Sequence, residues 1–394
     1  MRRIAGPIVA LMALLLAVSP VLAATWTKPL AITSSHDAFT SFARSLATGS
    51  GVVHLVDARA AGNLDYRRST DGGLHWSHSV TLAQPSSRYP VVLGDPAIGA
   101  FGSLVVFAYR ANDATAAYLI VRVSHDAGLS WSGPKTIAKV VTTRRIGEQS
   151  VAVSSAGIFV AWTNRVTGSI IVQRSTDQGA TFHTAQRVGV TTATFSPGDP
   201  TFTDGLIGLA ASGSDVDLAW SPSGDGQADT LVLSRSTDGG VSYLAPASFL
   251  AKPSFGFPSL SASGSFLVGE VLGTDGAVIG LSSKDGGGSI ASHRLAGPGD
   301  ASGLSNGSVA VDSSGNIVLT YSRTGSVRSV PSSVLVRRSA DGGSHWTPFE
   351  TVAASSAQVE EIDAAFVAGG TLLVWTACVD PDGTNCDIFE SRGP

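Results

Sequence analysis

The chain has 394 residues, of which 45 are glycine and only 14% are charged, with a formal net charge of −4. Sparse charge and abundant Gly, Ser, Thr and Val exclude a mainly helical protein, and the slight acidity excludes the basic footprint of a nucleic-acid binder. Length alone would suggest two or three domains, but internal repeats point to one.

Residues 1–23 read as a secretory signal peptide. Arg2 and Arg3 form its basic start, and Ile8 to Val18 is an apolar run too short for a comfortable membrane span. Val21-Leu22-Ala23 then offers a small-residue cleavage site before Ala24. An uncleaved anchor is the alternative. No cysteine follows the apolar run, which argues against a lipid anchor, and no later segment reads as a membrane span. The expectation is a secreted or cell-envelope protein of residues 24–394, with 24 basic against 30 acidic residues.

The stretch RRSTDGGLHW, Arg67 to Trp76, places an aspartate between glycine and an indole, as either a catalytic acid or a turn would require. It is not unique. STDGGLHW at Ser69 returns as SHDAGLSW at Ser124, STDQGATF at Ser175, STDGGVSY at Ser236, SKDGGGSI at Ser283 and SADGGSHW at Ser339. The template is S-x-D-x-G-x-x-aromatic, with only Ile290 missing the aromatic, at a mean spacing of about 54 residues. Ser and Asp side chains accept hydrogen bonds from nearby amides, and the glycine permits a positive φ. Six catalytic acids at one period make no sense in one enzyme. Asp71, Asp126, Asp177, Asp238, Asp285 and Asp341 are therefore read as turn pins.

Before each box lies a β-rich run such as YLIVRVS or SVLVRRS, preceded by a glycine-led run such as GIFVAWTN, and another strand follows the box. Four strands per unit of this length make a propeller blade. After the sixth box, EIDAAFVAGG, TLLVWTAC and CDIFESRG supply three more strands. The segment ATWTKPLAIT near the N-terminus matches the strand that follows a box. The expectation is an all-β, seven-bladed propeller of four-stranded antiparallel blades. Its last blade takes its outer strand from Trp26 to Thr33 and its inner three from Glu361 to Arg392. Six blades are the alternative. Cys378 and Cys386, the only cysteines, bracket a short loop and read as a disulfide in that composite blade. No histidine stands near enough to make them a metal site, so neither metal nor cofactor is expected. The loop DPDGTN at Asp380 reads as a hairpin turn, and FSPGDPTFTDG and SPSGDGQAD as solvated loops.

The six boxes resemble the Asp-box (BNR) repeats of the sialidase superfamily, over essentially the whole of residues 24–394. The resemblance implies a propeller whose boxes lie on the turn between the third and fourth strands, on the face opposite the functional site. Sialidases have six blades, so a count of seven departs from them, and Asp-boxes also occur in other hydrolases, in sortilin-like receptors and in photosystem assembly factors.

Function is then expected on the other rim, built by loops entering the blades and loops between second and third strands. The ends of the second strands read as Asp57, Tyr109, Trp162, Trp220, Glu270, Tyr321 and Trp375. The aromatics either wedge between blades or line a mouth on which sugar rings stack. Arg59, Arg110, Arg165 and Arg323 follow closely, Arg44 lies on the first inner strand, and Arg144-Arg145 lie on an entry loop. The sialidase likeness implies three arginines gripping a carboxylate, a tyrosine nucleophile with a glutamate partner, and an aspartate acid/base. FARS at Phe42 and VDAR at Val56 echo two of that family's segments, although the first motif is broken. Candidates are Tyr321 or Tyr109 with Glu148 or Glu270, and Asp57 or Asp37 as the acid; Asp57 and Glu270 could alternatively face each other as a glycosidase pair.

Two function classes follow. One is a non-catalytic, monomeric propeller that recognises a glycan or an extracellular protein through Arg44, Arg59, Arg110, Arg165, Arg323, Trp162, Trp220 and Trp375. The other is a sialidase-type glycoside hydrolase. A cell-envelope scaffold is the third possibility.

Overall fold

The structure, a computed structural model, describes residues 25–36, 38–39, 45–93, 95–141, 145–191, 207–221, 230–250, 258–272, 277–296, 304–323, 332–378 and 385–394. The leader, Asp37, Arg44, Arg144 and the acidic loops within 192–206, 222–229 and 379–384 lie outside the described residues.

Seven antiparallel sheets form a seven-bladed propeller. Six blades are contiguous in sequence, spanning residues 38–83, 91–141, 146–190, 207–250, 259–296 and 304–355. The seventh is composite: Gln358–Val367, Gly370–Cys378 and Cys386–Gly393 are its inner three strands, and Leu30–Ala31 is its outer strand. Successive inner strands contact one another around the whole ring. They converge on the axis and are built of small residues such as Ala47, Gly99, Ala152, Ala210 and Ala310, which leave an axial cavity of about 380 Å³ on the box face. Between blades, larger side chains meet in seven buried clusters, because every blade is apolar on both faces.

One register runs through all the blades. Each box serine closes the third strand opposite the start of the second: Ser69 on Val53, Ser124 on Val105, Ser175 on Ile158, Ser236 on Val216, Ser283 on Leu267 and Ser339 on Ile317. In the seventh blade Gly393, opposite Thr371, holds that place. Counting four residues along the second strand reaches Asp57, Tyr109, Trp162, Trp220, Tyr321 and Trp375, but in the fifth blade it reaches Val271. Glu270 is thus one residue out of the expected equivalence, and a one-residue step sends a strand side chain to the opposite face.

The box turns are alike in detail. The Ser69 hydroxyl donates to Asp71 Oδ1 at 2.7 Å and accepts the Gly73 amide at 2.9 Å, while Asp71 Oδ1 accepts the His75 amide at 2.9 Å. The second carboxylate oxygen meets the side chain four residues on: His75, Ser130, Thr181, Ser242 and His345 all fill this role, at 2.6 to 2.7 Å. The template therefore has a further position, a hydroxyl or imidazole, that the sequence comparison had left as x. These bonds hold Asp71 and its five counterparts well below the usual carboxylate range. The box glycine also keys each blade to the one before it. A Cβ on Gly73 would lie 3.0 Å from Leu372 Cδ1 of the seventh blade, and one on Gly240 would lie 2.9 Å from Phe159 of the third.

The ring closes where chain ends meet. Thr27 N donates to Arg392 O and Ile32 N to Ile388 O, both at 2.7 Å, and Trp76 Nε1 donates to Glu390 Oε2 at 2.7 Å. The Thr33 hydroxyl bridges Asp387 and the Ile388 amide at 2.9 Å each. The Cys378–Cys386 disulfide links register partners in this blade. At the inner strands, buried Asp363 accepts the Ser45 and Leu46 amides at 2.9 Å, the Ser308 hydroxyl at 2.6 Å and the Ala364 amide at 2.8 Å, so one carboxylate ties blades six, seven and one. Asp363→Ala leaves two buried amides of the first blade without an acceptor and should cost about 2–4 kcal/mol. A urea-unfolding midpoint unchanged by that substitution would contradict this role.

Candidate functional site

Inner and third strands run toward the box face, so the opposite rim receives the ends of the second strands and the loops entering each blade. Asp57, on the first blade, is fully buried there. Its carboxylate is held by the Arg67 guanidinium and, at 3.2 Å, by Arg59 Nε, which is also 3.2 Å from Asp65. Arg59 donates further to the Ser35 hydroxyl, and Thr81 donates to Asp65 at 2.7 Å. Burial pushes the Asp57 carboxyl up, toward about 7, against the pull of Arg67 and Arg59. The cluster is an internally neutralised ion network.

Glu270 is also fully buried, on the fifth blade, and its Oε2 has no hydrogen-bond partner. Burial alone pushes it up to about 8, so it carries its proton at neutral pH. Its carboxyl group lies over Gly307 of the sixth blade, where a Cβ would come within 3.1 Å, and Gly307 is the register partner of Tyr321. The sequence candidates Glu270 and Tyr321 are thus brought to one gap, between blades five and six. Asp57 lies on the other side of the ring, among its own arginines. The reading of Asp57 and Glu270 as facing carboxylates at equivalent positions is corrected: the register differs by one residue, Asp57 is held by arginines of its own blade, and Glu270 is enclosed between blades five and six.

The aromatic positions are corrected as well. Trp162, Trp220 and Trp375, with Tyr109 and Tyr321, are at most 4% exposed and pack against the preceding blade, where no sugar ring can reach an indole face. Of the arginines, Arg110 is buried and bonded to Asp95 at 2.9 Å. Arg165 is buried, with its amide donated to the Arg145 carbonyl at 2.9 Å, and Arg323 ends the second strand of the sixth blade, partly buried. Arg59 and Arg110 therefore already hold carboxylates of this chain, which leaves neither as a ready clamp for a ligand's. Glu148 lies on a described strand, but its side chain does not belong to the described part. Among the described residues, no group of three or more His, Cys, Asp or Glu is placed to hold a metal ion, and no helix is long and apolar enough to cross a membrane.

A different feature of the same rim offers accessible chemistry. The loop from the first blade's outer strand, Val80–Ala83, into the second blade carries Arg88 and Tyr89. Reciprocal bonds hold that loop: Ser86 N to Tyr89 O at 2.9 Å, and Tyr89 N to Ser86 Oγ at 3.1 Å. Beside it a cavity of about 570 Å³ opens between the two blades, lined by Thr81, Gln84, Arg88, Tyr89, Tyr109 and Thr136 among others. The Tyr89 ring meets Tyr118 edge-on at 5.1 Å; exposed Arg88 lies over Tyr89 at 5.2 Å and Lys139 over Tyr118 at 5.4 Å. Arg88, the half-buried ring of Tyr89 and the hydroxyls of Thr81 and Thr136 line the groove, and the Tyr118–Lys139 pair stands beside it against Tyr89. The sequence held only a faint signal for it, an aromatic-basic pair in a loop of otherwise polar residues.

The protonated state of Glu270 has a thermodynamic consequence. Between its ordinary value near 4.5 and about 8, the folded chain holds a proton that the unfolded chain releases, so stability falls as pH rises through this window. Glu270→Gln removes that slope without changing shape. Urea unfolding from pH 5 to 8 should show the variant gaining on the wild type by up to a few kcal/mol; parallel pH profiles would refute a buried protonated acid.

Comparison with known proteins bears on the fold. No family model matches the chain, and no curated protein matches it. Among solved structures, it is similar to a PL25 ulvan lyase bound to -[GlcA(1-4)Rha3S]-, with a TM-score of 0.60 and 10% identity over 92% of this chain and 95% of that one. It is similar to the phage phi92 endosialidase, at 0.54 and 9% identity over 93% and 68%, and to the Hadza microbial sialidase Hz136, at 0.50 and 12% over 91% and 66%. At these identities the likeness is one of fold: the chain is a propeller of the shape that sialidases and this polysaccharide lyase share.

Proposed function

We propose that this chain is an exported, non-catalytic propeller of the Asp-box kind that recognises carbohydrate on the rim opposite its boxes, in the groove between the first and second blades. The observation that carries the reading is the groove itself, where Tyr89 presents an aromatic face between the Arg88 guanidinium and a hydroxyl-lined wall. An apolar sugar face stacks on such a ring, and hydroxyls and a planar cation bind its polar edge. Arg88 and Lys139 favour a sugar bearing carboxylate or sulfate. The carbohydrate setting of similar folds, a polysaccharide lyase and two sialidases by name, supports trying glycans before proteins.

A sialidase-type hydrolase is the second reading, favoured by the shared gap of Glu270 and Tyr321. Against it stand their enclosure and the self-neutralised arginines.

Titration calorimetry against acidic and neutral oligosaccharides tests the first reading. Tyr89→Ala and Arg88→Ala should each weaken binding about tenfold or more, and added salt should weaken it further. Binding that both variants retain would place the site elsewhere. Turnover of a fluorogenic sialoside, abolished in Glu270→Gln, would instead establish the hydrolase.

A further inference from the structure

Blades two and six repeat one another at their junctions with the blade before. They alone pair a tyrosine at the end of the second strand, Tyr109 or Tyr321, with an arginine two residues before the box serine, Arg122 or Arg337. Their registers coincide. Tyr109 lies opposite Ile120 and Tyr321 opposite Leu335, and in the outer strands Thr136 and Thr351 face those same two residues. The arginines clasp the same backbone groups: Arg122 Nε donates to Ser132 O and its Nη1 to Leu82 O, both at 2.7 Å. Arg337 Nε donates to Thr347 O at 2.7 Å, and its Nη1 to Leu295 O.

One position differs. Ten residues after the box serine, blade six carries Phe349 and blade two carries Pro134. The Phe349 ring lies under the Arg337 guanidinium at 4.5 Å and meets Tyr321 edge-on at 5.1 Å, half-buried in the cluster that joins blades five and six. In blade two the same walls stand without that ring. Arg122, Tyr109, Leu82, Pro134 and Thr136 border the cavity of about 570 Å³. Its lining falls within residues 81–136, and neither end of the chain contributes to it.

We infer that this inner end of the groove is a binding subsite for an aromatic ring, seated between Arg122 and Tyr109 as Phe349 is seated between Arg337 and Tyr321. The chemistry selects an aryl group over a sugar ring. A guanidinium is attracted to the electron-rich face of a π system and an edge-on tyrosine complements it, whereas a saturated ring offers neither interaction. The apolar surfaces of Leu82 and Pro134 take the ring out of water. The inference goes beyond the carbohydrate reading and stands without it. Arg88 and Tyr89 at the groove's mouth carry that reading; Arg122, Tyr109 and Pro134 carry this one.

The test uses the full chain with phenol, followed by ligand-observed saturation-transfer NMR, and cyclohexanol as a saturated probe of similar size. Phenol should bind saturably, and cyclohexanol about fivefold more weakly or less. Pro134→Phe, which gives blade two the ring that blade six already has, should abolish phenol binding. Phe349→Ala should open the matching place in blade six and add a second phenol site. Melting curves verify that both variants fold. The proposal is overturned by phenol that does not bind, that binds no better than cyclohexanol, or that binds equally to Pro134→Phe. A folded Phe349→Ala chain with no second site overturns it too. Oligosaccharide binding by the same wild-type chain is read separately, so either reading can fail while the other holds.

Discussion

The hydrogen bonds from Thr27 and Ile32 to the third strand of the last blade hold the molecule together as a ring. Each blade buries both of its faces against neighbours, so a ring left open would expose two large apolar faces and an unpaired strand edge. Asp363 reinforces the same seam at the inner strands, where its two carboxylate oxygens accept from three consecutive blades. A buried carboxylate costs free energy unless its lone pairs are occupied, and here four donors occupy them. Everything else, including the depth at which each rim residue stands, follows from that closure.

Within the ring, the repeated turn does the work of register. Its serine and aspartate satisfy the turn's own amides, and its glycine approaches the preceding blade more closely than any side chain would permit. The box face is consequently committed to packing, which is why its six aspartates are unsuited to chemistry.

On the other rim, the distinction is between charge that is enclosed and charge that is available. Asp57, Arg59, Arg67 and Asp65 neutralise one another, and Arg110 is held by Asp95. Glu270 stays neutral by burial. Arg88 and Lys139 are solvated and lie over tyrosine faces, an arrangement suited to recognising a ligand from solution.

The period of S-x-D-x-G, the strand runs around it and the match of ATWTKPLAIT to an outer strand were enough to read the fold, the blade number and the composite closure from the residues alone. The box recurs six times and the strand runs seven, so errors in one copy are corrected by the others. The candidate site was legible only in outline. Whether Trp162 and Trp220 stack on a ligand or wedge between blades depends on which face of a strand meets the neighbouring sheet, and both roles ask for the same residue. Glu270 looked equivalent to Asp57 because a one-residue offset is invisible without the hydrogen-bond register. The amino-acid sequence by itself determined the architecture, since turn chemistry and strand alternation act over a few residues. Tertiary structure alone decided which charges meet and which aromatics are covered, because those depend on strand register and on how one blade packs against the next, which no local pattern specifies.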